Sequence, residues 1–547
     1  MSDIDYGNKH FLVVDNIKQS RDTLKIFAYS LGAMKVDTSH HAPDIMSLCD
    51  EIKFDVILLG YDLGEDKKNG QQILEELRAK QIISRHCTIV MITAEVSQAM
   101  VLAALEHKPD EYLAKPYTLN DLSTRLSRCF QKKGAMLNIY KAMDADNFQK
   151  VLLLCERLIT QNSTYKTECL GIKSRQHFEL AQFDQAREIY DAYLGAPNCQ
   201  WAAIGLGKIA LVENNFDLAI HYFSAVVDSN PLYLSAYDWL AKAYKLTQQP
   251  NLAEDVLEKA LLISPRSVLR LKNYADLCVS NENFDKATYA LSKTNELAYH
   301  SVHKKPENAL LFVEALLEYA ENLSTFQVRK LNNKGFKALT DMVKDFSSAE
   351  LKIHSQLLTA RLHHKANETQ LSKENLKGAE RLLSRFKYQL STSGTIAIAK
   401  SLIALQRSAY AQNLLNELAQ ANPDNTELLS QIASLFGKPL RDSDKIAAQN
   451  ALEVGNNLYR ANHYSLAIDK LNKALVHFPN HIGIKLNLLQ VLLVSFDTNN
   501  ERNSDLALAE ELIKEFSKLG SDSESYKRFM KLNDKYIGIK KDLAKDK

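Results

Sequence analysis

The stretch Phe54-Asp55-Val56-Ile57-Leu58-Leu59-Gly60-Tyr61-Asp62-Leu63-Gly64 decides how this chain is read. Its apolar centre is short and begins with β-branched side chains, which predicts a strand buried on both faces of a parallel sheet. In open α/β sheets the chemistry lies just outside the carboxyl ends of such strands. The residue delivered there is Gly60, which has no side chain to react.

Strand-like and helical patterns alternate on both sides of this stretch. Strands are expected at Phe11–Val14, Lys35–Asp37, Val56–Leu59, Thr88–Ile92 and Glu111–Leu113. Helices are expected at Ser20–Leu31, Ala42–Ile52, Gly70–Lys80, Ser97–Leu105 and Leu119–Phe130. That alternation predicts a doubly wound α/β domain over residues 1–131.

The other strand ends carry Phe11-Leu12-Val13-Val14-Asp15-Asn16, Met91-Ile92-Thr93-Ala94 and Tyr112-Leu113-Ala114-Lys115-Pro116-Tyr117. With the Gly60 stretch, these four ends in this order resemble a bacterial response-regulator receiver domain, a flavodoxin-like, CheY-like fold. The resemblance implies that Asp15 and its neighbour hold Mg²⁺, that Thr93 meets a phosphoryl oxygen and that Lys115 pairs with its charge. Two departures fall on this chemistry. Gly60 occupies the phospho-acceptor position, and Asn16 replaces the second acidic residue, removing a charge that a hard cation prefers among its ligands. What remains is a pseudo-receiver pocket of Asp15, Asn16, Gly60, Thr93 and Lys115, with Asp62 two residues on as the alternative acceptor. Asp15 is the single weak candidate for holding Mg²⁺, and no cofactor is expected.

A fixed period follows. Ala186, Ala219, Ala253 and Ala287 stand 33, 34 and 34 residues apart, and Pro197, Pro231 and Pro265 are spaced by 34 and 34. This is the tetratricopeptide (TPR) pattern, a helix-turn-helix unit of about 34 residues. Units are read over 132–301, divergent helical repeats over 302–391, and further units with capping helices over 392–547. One unit cannot bury its apolar face alone, so stacked units predict an all-α superhelical solenoid with a concave groove. No Gly-, Pro- or Ser-rich linker separates the two parts, which predicts a short, stiff connection through Gln131-Lys132-Lys133-Gly134.

Composition narrows the function. The 68 basic and 66 acidic residues nearly cancel, which argues against a nucleic-acid partner. Seven cysteines without a C-x-x-C pair fit reduced thiols rather than a disulfide framework or zinc site. The polar amino-terminal residues and the lack of a long apolar run lead to the expectation of a cytoplasmic chain with no membrane contact. Phosphate-binding, dinucleotide and hydrolase motifs are absent, so no enzyme activity is expected.

The expectation is a two-component-type signalling adaptor in which a receiver-like domain, unable to take phosphate, is fixed to a protein-binding array. The alternative is a working phosphorelay regulator that uses Asp62. Partners are expected on the receiver face made by its fourth helix, fifth strand and fifth helix, and in the groove. There Arg175, Lys208 and Lys242 take the ninth position of successive first helices, and Asp276 ends the column. Phe178, Trp201, Ile204 and Leu211 add apolar and aromatic surface of the kind enriched in binding hot spots. Together they predict an acidic peptide or carboxylate as the ligand.

Overall fold

Period-two alternation along three central strands places two apolar layers on opposite faces of one sheet. In the computed structural model, which describes residues 5–64, 67–94, 109–422, 425–436, 442–478, 481–498, 503–516 and 524–545, the strands are β1 (His10–Val14), β2 (Lys35–Ser39), β3 (Val56–Gly60), β4 (Thr88–Thr93) and β5 (Glu111–Ala114). All pairings are parallel, in the order β2-β1-β3-β4-β5. Leu12, Val14, Ile57, Leu59, Ile89 and Met91 pack on one side beneath α2 (Ala42–Glu51) and α3 (Gly70–Ala79). Phe11, Val13, Val56, Leu58, Val90 and Ile92 pack on the other, against α1 (Lys18–Ser30) and α4 (Leu119–Asp144). The expected helix at Ser97–Leu105 lies outside the described residues.

The helix expected over Leu119–Phe130 continues to Asp144, so residue 131 falls inside one 26-residue helix. A capping box between Thr118 and Asp121 starts it. Gly134 does not break it: one glycine costs about 1 kcal/mol of helix propensity, and packing on both halves outweighs that. Leu122 and Leu126 belong to the sheet core, whereas Met136, Ile139 and Ala142 belong to the core of the next helices.

Those helices are α5 (Phe148–Thr160), α6 (Lys166–Glu179), α7 (Phe183–Ala192), α8 (Gln200–Val212), α9 (Phe216–Ser229), α10 (Leu234–Leu246), α11 (Pro250–Ile263), α12 (Val268–Ser280) and α13 (Phe284–Ala298). They run as pairs, and the turn inside each pair carries a non-glycine residue at positive φ: Asp146, Ala181, Asn214, Gln248 and Glu282. The four periodic alanines are fully buried. Glycine is required where a Cβ at Gly207 would lie 2.4 Å from the Phe223 ring. Helices α14 (Pro306–Tyr319), α15 (Thr325–Asp345) and α16 (Ala349–Lys365) follow.

By compactness the chain divides into residues 1–351 with 362–369, and residues 352–361 with 370–547. The second unit holds α17 (Thr369–Phe386), α18 (Thr392–Ala404), α19 (Ser408–Ala421), α20 (Thr426–Phe436), α21 (Asp442–Arg460), α22 (Tyr464–His477), α23 (Ile482–Thr498), α24 (Asn503–Phe516) and α25 (Glu524–Lys545). Leu357, Leu376, Ile398, Leu402 and Leu415 centre one of its cores, and Leu471, Leu489, Leu492, Phe516 and Phe529 another. Pro423 and Pro479 lie outside the described residues. Among the described residues no helix is long and apolar enough to cross a membrane, and all seven cysteines are free and buried.

Candidate functional site

Parallel strands bring Asp15, Gly60, Thr93 and Lys115 to one edge of the sheet. Asp15 follows β1 directly and is 1% exposed. A carboxylate is buried this deeply only when paired. Its Oδ2 accepts hydrogen bonds from Lys115 Nζ and Ser20 Oγ, each at 2.7 Å, and its Oδ1 accepts from the Ile17 amide at 2.9 Å. Arg21 ties down the backbone beside it, donating to the carbonyls of Asp15 at 2.7 Å and Asn16 at 3.1 Å. Thr93 is buried at the end of β4, and its carbonyl accepts from the Lys115 amide at 2.7 Å. Burial raises the Tyr117 hydroxyl above its usual pKa, partly offset by its bond to Ser20. Ser20 and Arg21 were not read from the sequence as site residues. Their only signal there is their position in the first turn of the helix that follows Asp15.

Gly60 ends β3 in register with Ile92. A Cβ at this position would lie 2.9 Å from the Val14 carbonyl oxygen, closer than side chains come to backbone. Asp62 is exposed, and its Oδ1 accepts from the Gly64 amide at 2.9 Å. One of its two oxygens is thus engaged in its own turn, in which Gly64 takes φ +108°. The donor set does not match the Mg²⁺ site that the resemblance implies. A small hard cation wants several oxygen ligands, and here the one buried carboxylate already has three donors. Among the described residues, no group of three or more His, Cys, Asp or Glu is arranged to hold a metal ion.

A second constellation is a cavity of about 1040 Å³. Five residues expected in a partner groove line it: Arg175, Phe178, Trp201, Ile204 and Lys208. Two do not. Leu211 sits one residue before the end of α8 and packs, half-buried, against the core that holds Ala219, Phe223 and Leu240. Lys242 is exposed and lies over the Trp239 ring at 4.8 Å, while Lys208 lies over the same ring at 4.5 Å. Asp276, expected to end the column, is exposed on α12. Trp201 also packs within the helix pairs, 5.9 Å from both Tyr190 and Tyr193. The opposite wall comes from the α/β domain: Tyr61, Asn69, Gln72 and Glu75. At the face expected for partners, Glu111 of β5 pairs with Arg125 and Arg128 of α4.

One buried carboxylate sets an acid response. Burial raises the Glu254 carboxyl, but hydrogen bonds from Asn281, Asn283 and Lys286 outweigh it and hold the group below the usual glutamate pKa. A depressed carboxylate contributes stability above its unfolded value and loses it as pH falls through the folded one. The urea midpoint of the chain should therefore fall below about pH 4.5, and Glu254→Gln should flatten that response. An unaltered pH profile in Glu254→Gln would show that other groups govern it.

Residues 11–127 match the family described as response regulator receiver domain. The transcriptional regulatory protein RprY of Bacteroides fragilis is 27% identical over 153 residues, covering 26% of this chain and 62% of that protein. The chemotaxis protein CheY-3 of Vibrio cholerae is 22% identical over 125 residues, covering 23% of this chain and 94% of its own. This chain thus spans about three fifths of the first relative and nearly all of the second. Among solved structures, the BeF3-activated DrrB receiver domain is 23% identical, covering 22% of this chain and 97% of its own, with a TM-score of 0.20. A CheY-like receiver domain protein from Methanospirillum hungatei is 20% identical, covering 23% and 96%, with a TM-score of 0.21. Taken with the five-stranded parallel sheet, the family match makes residues 11–127 a response regulator receiver domain.

Proposed function

We propose that this chain is a non-enzymatic, cytoplasmic signalling adaptor, in which a receiver domain that cannot accept phosphate is rigidly joined to a TPR array that binds a protein partner. The observation that carries this reading is the strand-end pocket. Gly60 offers no carboxylate, and Asp15 is already engaged by Lys115, Ser20 and the Ile17 amide. Phosphoryl transfer needs a nucleophile and charge neutralisation, and here only the cation of Lys115 is in place. The TPR reading is supported by the recurring left-handed turns at 146, 181, 214, 248 and 282 and by the buried periodic alanines. A groove lined by cations and aromatic rings favours an acidic segment of a protein over nucleic acid, given the balanced net charge.

Incubation with acetyl phosphate and Mg²⁺, followed by intact mass measurement, tests the pocket. The expected result is no added mass. An adduct of one phosphoryl group mapped to Asp62 would replace this reading with a working phosphorelay regulator.

A further inference from the structure

We propose that the binding site is composite: the β3–α3 edge of the receiver forms one wall of the groove, so an acidic peptide bound there touches receiver and array together. This rests on the groove reading above and adds the receiver's part in it.

Three side-chain contacts seat this edge on the array. Arg266 Nη1 donates to Tyr61 Oη at 3.1 Å, Gln72 Nε2 donates to the Leu297 carbonyl at 3.2 Å, and His303 Nε2 lies 2.7 Å from Glu75 Oε1. The array partners come from three places: the turn before α12, the end of α13 and the loop beyond it. The contacts therefore fix the edge along its length rather than at one point. Continuity of α4 across both parts holds the same relation from the other side.

The half-open space of about 1040 Å³ stands at the top of the range of ligand cavities, about 300–1,000 Å³, and suits a short peptide segment. Its lining is net basic. Arg175, Lys208, Arg266 and Arg270 outnumber the carboxylates, which are Glu75, Glu179 and Asp238. Arg270 and Asp238 cancel in a bidentate pair at 2.8 and 2.9 Å. Trp201 and Tyr233, both half-buried, supply rings against which a peptide side chain can pack. An acidic segment with one aromatic residue matches both features. On the receiver wall, Glu75 is the charge such a segment would have to pass.

The probe is a dye-labelled peptide of six glutamates and one phenylalanine, titrated into the 547-residue chain at low salt. Lys208→Glu should weaken binding about tenfold, and Glu75→Gln, which removes the charge but keeps an oxygen acceptor for His303, should tighten it several-fold. Hydrogen exchange on the unaltered chain gives a readout that needs no variant to fold. Bound peptide should slow exchange both in residues 69–75 and in residues 200–208. Protection of 200–208 alone, with Glu75→Gln without effect, would overturn the composite site and leave the groove reading standing. Protection of neither segment would overturn both.

Discussion

Replacing Gly70 with alanine should destabilise the receiver by about 3 kcal/mol, the upper part of the usual cost of overpacking. The added Cβ would fall 2.2 Å from the Gly60 carbonyl oxygen, 3.0 Å from its carbon and 3.2 Å from Leu59 Cγ. Its neighbour is backbone, held in a central strand between β1 and β4 and unable to swing aside as a side chain would. The Gly70 amide also donates to the Tyr61 carbonyl at 2.8 Å, which pins the start of α3 at this approach. Helix propensity argues the other way, since Gly→Ala inside a helix normally gains up to about 1 kcal/mol. The sign of the change therefore decides the matter. Urea unfolding followed by hydrogen exchange at β3 should show earlier opening, and a gain in stability would refute the close approach.

Lys133→Met should cost about 2–3 kcal/mol and loosen the join between receiver and helical array. Lys133 is 7% exposed, and all three of its ammonium protons are used. It donates to Asp110 Oδ2 at 2.7 Å, to the Arg85 carbonyl at 3.1 Å and to the Cys87 carbonyl. Methionine keeps the apolar stem but leaves a carboxylate and two carbonyls without their donor. Breaking a fully buried pair in this way costs about 3–5 kcal/mol. Asp110 is partly open to water and still accepts from the Ile89 amide at 2.8 Å, which lowers the figure. Thermal unfolding measures the loss, and small-angle scattering should reveal a wider spread of receiver orientations. A variant as stable and as uniform as the parent would mean that α4 is held by apolar packing alone.

Much of the fold was legible because local patterns and tertiary burial agree. Apolar runs such as Val56–Leu59 carry both faces of a covered strand, so composition alone distinguishes them from amphipathic helix. Alanine at a fixed spacing marks close helix contacts because no larger side chain fits there, and the four periodic alanines are fully buried. The strand-end residues were legible for a related reason. A parallel sheet delivers the residue after each strand to the same edge, and Asp15 and Lys115, 100 residues apart, do meet there.

The remainder depended on proximity that no local pattern encodes. Lys133 reads only as part of a short, stiff connection, and the unbroken course of α4 buries it. Asp62 reads as the alternative acceptor, and the structure adds that one of its oxygens is held in its own turn by the Gly64 amide. Leu211 reads as groove surface, but it packs half-buried against a core built from α8, α9 and α10. The sequence by itself determined the alternating α/β order, the helix-pair period and the absence of a carboxylate at Gly60, since each follows from side-chain chemistry within one element or from a fixed spacing. Only the tertiary structure decided that the receiver's Tyr61, Gln72 and Glu75 meet Arg266, Leu297 and His303, because contacts more than 200 residues apart depend on the summed geometry of every helix between them.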